Sequence, residues 1–78
     1  AIKAREKVSK LVNEDPYVLQ MHGFNIDFEQ KTMRFDIVVS FDAKDREAVY
    51  EAAVAKVQIE FPDYSIQAAM DLDLSEVD

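Results

Sequence analysis

Val18-Leu19-Gln20-Met21-His22-Gly23-Phe24-Asn25-Ile26-Asp27 contains the only histidine and the only glycine of the chain. Leu19 and Met21 alternate with Val18, Gln20 and His22, and after Gly23 the apolar phase passes to Phe24, Ile26 and Phe28. A slip of one residue in the alternation is what a β-bulge produces, and glycine is its usual occupant. The segment 17–28 therefore reads as a bulged strand. Leu19, Met21, Phe24, Ile26 and Phe28 form its buried face, and His22 lies on the other.

The flanking segments complete a small α+β unit. Residues 1–13 place Ile2, Ala4, Val8, Leu11 and Val12 at helical spacing among charged side chains, until Pro16 and its biased neighbour Asp15 end the helix. Glu29-Gln30-Lys31-Thr32 makes a short polar connection. Residues 33–42 then alternate cleanly, with Met33, Phe35, Ile37, Val39 and Phe41 inward and Arg34, Asp36, Val38, Ser40 and Asp42 outward. Asp42 is the expected cap of a second helix, with Asp45 and Glu47 favourable in its first turn. Val49, Tyr50, Ala53, Val54, Val57 and Phe61 share its core-facing arc, and Ala48, Ala52, Ala55 and Ile59 make a smaller apolar patch nearly opposite. After Phe61-Pro62-Asp63-Tyr64, residues 65–72 form a third strand with Ile66, Ala68, Met70 and Leu72 inward and Gln67, Ala69 and Asp71 outward. The acidic end, 73–78, reads as a frayed tail.

The expected order is helix-strand-strand-helix-strand. The first two strands form a hairpin, and the second helix crosses over to a parallel third strand. Both helices cover one face of a three-stranded mixed sheet, and nothing in the chain covers the other. A small domain with a bare sheet face is a candidate for a dimer.

Composition bounds the function. Seventy-eight residues, 49% hydrophobic and 32% charged, make a single domain, 1–78. A chain this short buries only about 60–65% of its unfolded surface, so metal or self-association is the expected support where cysteine is absent. A net charge of −7 without a Lys/Arg cluster disfavours nucleic acid and anionic membrane surfaces. No apolar run approaches the roughly 20 residues of a spanning helix, so no direct membrane insertion is expected. The start at Ala1, with charges following at once, suggests a piece of something longer or a processed product. There is no cysteine nucleophile, no phosphate-cradling glycine loop and no close His-plus-carboxylate dyad, and the four serines, Ser9, Ser40, Ser65 and Ser75, have no evident base beside them. The chain does not read as an enzyme.

The segment Val18–Phe24, the strand Arg34–Asp42 and the ending Phe61–Asp71, in this order and spacing, resemble the C-terminal cytosolic domain of bacterial cation diffusion facilitator (cation efflux) transporters. The resemblance runs over nearly the whole chain. It implies a ferredoxin-like, metallochaperone-like αββαβ domain that forms a homodimer below the transmembrane domain of the same transporter, at the cytoplasmic face of the cell membrane. It implies the role of dimerisation and regulatory domain in a divalent metal cation/proton antiporter that exports chiefly zinc, in other members iron, manganese, cobalt or cadmium. The alternative is a stand-alone ferredoxin-like module for small-molecule sensing or protein interaction.

The family's metal residues carry over in part. His22 matches its first-strand histidine and Asp71 its third-strand aspartate, while Glu47 stands where the family has a histidine at the start of the second helix. Val39 and Ala69 replace two further histidines, so the full binuclear zinc cluster is absent. The metal candidates are thus His22, Asp71 and Glu47, with Zn or Mn/Fe as the ion. Zinc takes four ligands, or three and a water. A strand lying between His22 and Asp71 separates the pair by about 9–10 Å, too far to share a metal within one chain. The expectation is therefore either a surface histidine with no ligand role or a site between subunits at the dimer interface, with His22 and Asp71 contributed twice. The carboxylates of Asp71, Asp73, Glu76 and Asp78 lack the spacing of a calcium loop and read as a solvated tail.

Overall fold

The computed structural model describes residues 2–72, except for the side chains of Ile2 and Leu72. The frayed end expected over 73–78, and the inward side chains expected of Ile2 and Leu72, lie outside what it describes. Five elements follow in the expected order: α1 (Ile2–Val12), β1 (Val18–Asp27), β2 (Thr32–Val39), α2 (Arg46–Glu60) and β3 (Ser65–Leu72). The sheet has the order β1-β2-β3, with β1 antiparallel and β3 parallel to the central strand. Two helices and a three-stranded mixed sheet make the α+β, ferredoxin-like fold.

The core lies between the helices and one sheet face. Val8 and Val12 of α1, Ala53 and Val57 of α2, and Met33, Phe35, Ile37 and Val39 of β2 are buried in one cluster. The alternation in β2 accounts for its four inward side chains, each fully buried. Ile66, Ala68 and Met70 of β3 pack against the same cluster, as do Val49, Tyr50 and Val54 from α2 and its C-cap residue Phe61. The Tyr50 hydroxyl donates to the Ala68 carbonyl at 2.8 Å and ties α2 to β3. Ala48, Ala52, Ala55 and Ile59 are all exposed, Ile59 the most so at 79%.

Three expectations are corrected. The first concerns β1, which carries two register shifts, one between His22 and Asn25 at the expected glycine and another between Val18 and Gln20. Each adds a residue to β1 over its partner. The second irregularity turns Val18 into the core and leaves Leu19 43% exposed, so Leu19 is not part of the buried face. Phe28 is also exposed, because the strand ends at Asp27, whose carboxylate accepts from the Glu29 and Gln30 amides at 2.9 Å and starts the turn.

Second, Asp45 rather than Asp42 caps α2, its carboxylate accepting from the Ala48 amide at 3.0 Å. Asp42 is held in a preceding turn, where its amide donates to Ser40 Oγ and Ala43 is buried. Third, Val38 and Ser40, read as outward, are 6% and 4% exposed. Both stand at the end of the sheet, where the Ser40 amide donates to the Tyr17 carbonyl and closes the approach to β1.

Candidate metal centre

The face of the sheet away from the helices carries His22, Asp36 and Asp71, one from each strand. His22 stands opposite Asp36 in the β1–β2 register, and Asp71 pairs with Val38, two residues further along β2. The alternation that buries Phe35 and Ile37 puts Asp36 between them on the far side. One ligand atom from each of the three residues lies within 4.8 Å of the others. The closest approach between the flanking pair is His22 Nε2 to Asp71 Oδ2, 3.6 Å, with both side chains about half exposed.

The separation of about 9–10 Å expected from strand spacing is therefore corrected, because the side-chain ends approach to 3.6 Å. An imidazole reaching over the central strand meets the carboxylate from the other edge within a single chain. His22 stands directly before the Gly23 bulge, and bulges re-aim the side chains beside them. Gly23 has φ +68°, the left-handed region that glycine enters without steric cost. The glycine also admits its neighbour: a Cβ at position 23 would stand 3.1 Å from Asp36 Oδ2 and 3.8 Å from its Cγ.

The electrostatics favour a cation. Two carboxylates face one imidazole, and among the described residues no Lys or Arg forms an ion pair with Asp36 or Asp71. The donor set is one nitrogen and two oxygens without sulfur, which suits Zn²⁺, Mn²⁺, Fe²⁺ or Ni²⁺ better than a soft monovalent copper ion. Three protein ligands leave room for water or a further donor, the pattern of an open zinc site. The half-exposed position gives an ion direct access from solvent.

The other positions singled out in the sequence stand apart. Glu47 lies exposed in the first turn of α2, on the helical layer that covers the opposite sheet face, and is not in the cluster. Val39 is fully buried in the core. Ala69 is exposed beside Asp36, its partner across β2 and β3, and offers no donor. Asp36 is the member of the cluster that sequence reasoning missed. Its signal was its place on the outward face of the central strand, between the two strands that carry His22 and Asp71.

No protein-family signature and no curated protein sequence matches the chain. Solved structures do. A nickel form of a MamM C-terminal domain variant superposes with a TM-score of 0.67 at 12% identity, covering 92% of this chain and 98% of that one. Another variant, a cadmium form, gives 0.65 at 11% identity over 90% and 94%. A third variant gives 0.65 at 13% identity over 90% and 92%. At these identities the likeness establishes the fold. These neighbours are C-terminal domains of a cation diffusion facilitator transporter, the family that the sequence resembles.

Proposed function

We propose that this chain is the cytosolic dimerisation and regulatory domain of a divalent cation/proton antiporter of the cation diffusion facilitator type. It pairs with a second copy at the cytoplasmic face of the membrane, and His22, Asp36 and Asp71 hold the cytosolic ion to which the pair responds. The observation that carries this reading is the convergence of one imidazole and two carboxylates on the helix-free face of a domain folded like MamM's. Solved forms of that domain with nickel and cadmium support a divalent ion as the ligand class.

The donors are suited to a responsive site rather than a permanent structural one. A structural zinc site is closed by four ligands. Three ligands, two of them about half exposed, bind more weakly and release the ion as its concentration falls. Two negative carboxylates on an uncovered face oppose close approach of a second such face, and a divalent ion offsets that charge. Metal therefore favours pairing. Glu47 has no part in this site.

Sedimentation equilibrium in chelator, and then with added Zn²⁺ or Mn²⁺, tests the reading. The dimer fraction is expected to rise with metal, and the response to disappear in His22→Ala. A chain that stays monomeric at high concentration in both conditions contradicts it.

A further inference from the structure

We propose that Gly23 is the positioning residue of the His22–Asp36–Asp71 site, because the missing Cβ is what lets the Asp36 carboxylate lie against the bulge and within reach of His22 and Asp71. The proposal rests on the metal reading above and adds the residue that sets its geometry.

Two separate demands meet at this position. The backbone at φ +68° is in the left-handed region, which L side chains enter at a cost but which Asn tolerates better than most. The second demand is space. A Cβ there would stand 3.1 Å from Asp36 Oδ2, closer than ordinary van der Waals contact, and it would meet a side chain rather than backbone. The carboxylate can yield by rotating, so a Cβ does not break the fold. It moves one ligand of three.

His22 precedes the bulge and pairs with Asp36 across the strands, and the only atoms that a Cβ at position 23 would meet belong to Asp36. Asp71, on the far strand, has no contact with position 23 through which to compensate. Metal affinity responds steeply to small displacements of ligating groups, and loss of an orienting neighbour typically lowers it about 10–100-fold.

The test is calorimetric titration of Zn²⁺ into the wild-type chain, Gly23→Ala, Gly23→Asn, Asp36→Asn and the double variant Gly23→Ala/Asp36→Asn, with circular dichroism melts alongside. Wild type is expected to bind, and Gly23→Ala and Gly23→Asn to lose about tenfold or more in affinity. The double variant should bind no more weakly than Asp36→Asn alone, because the glycine acts through that carboxylate. Gly23→Asn should melt above Gly23→Ala without recovering affinity, which separates backbone strain from the encroaching Cβ. It also keeps the test decisive if the alanine variant folds poorly. Unchanged affinity in Gly23→Ala, additive losses in the double variant, or wild-type affinity in Gly23→Asn would each overturn the proposal while leaving the metal site standing. Absence of Zn²⁺ binding by the wild-type chain would overturn the metal reading and this inference with it.

Discussion

Asp36 shows how a candidate ligand can be visible in a sequence and still be passed over. Strict alternation in β2 puts it on the outward face, and the same argument puts His22 and Asp71 there from the neighbouring strands. Strand spacing alone puts His22 and Asp71 too far apart to share an ion, because it takes no account of the reach of an imidazole across the central strand or of the aim that the bulge gives it. Capping at α2 shows a related limit. Asp42 and Asp45 are both acceptable caps by residue type, and the choice falls to the backbone, which buries Ala43 in a turn before the helix starts. Asp45→Ala removes the acceptor for the Ala48 amide and is expected to cost about 1 kcal/mol in a urea melt. Asp42→Ala, with no capping bond to lose, should cost markedly less.

The elements were legible where one period dominates. α1 and β3 follow uninterrupted patterns, and β3 occupies Ser65–Leu72 as expected, while β2, expected over 33–42, keeps its alternation up to Ile37 and ends at Val39. β1 was legible at Gly23, where a glycine marks the slip, and not at Leu19, where an apolar residue hides a second one. Leu19 suits a buried or an exposed position equally well by chemistry, so only pairing with β2 decides. Helix α2 is held to β3 by the Tyr50 hydroxyl, which donates to the Ala68 carbonyl next to the strand's outward residues. Burial, with the nearby negative charges of Glu47 and Glu51, pushes the Tyr50 hydroxyl above its ordinary value. A group held protonated more tightly in the fold than in the unfolded chain contributes fully below its unfolded value, about 10 for tyrosine, and loses that contribution as pH rises through the folded value. Chemical melts across this range should therefore show wild-type stability falling in alkali by more than that of Tyr50→Phe. At neutral pH the phenylalanine variant should be the weaker by about 0.5–1.5 kcal/mol, the net worth of the lost hydrogen bond.

At the scale of the molecule, the division of the sheet into two faces organises everything else. One face is closed by both helices over Met33, Phe35, Ile37 and Val39, and the other keeps a row of polar side chains with three metal-type donors at its centre. Alternation and helix periodicity made this division readable, because each depends only on neighbours within one element. The convergence of three ligands from three strands depends on register, twist and side-chain reach together, and no single stretch encodes it. Within one chain the three donors lie close enough to share an ion, so under the proposed function a second copy would serve pairing and not the ligand set. Calorimetric titration of Zn²⁺ into the chain, read for stoichiometry and repeated with His22→Ala, tests this most directly. The account predicts saturable binding of a single ion per chain that is lost with His22. Half an ion per chain, no saturable binding, or binding indifferent to His22 would contradict it.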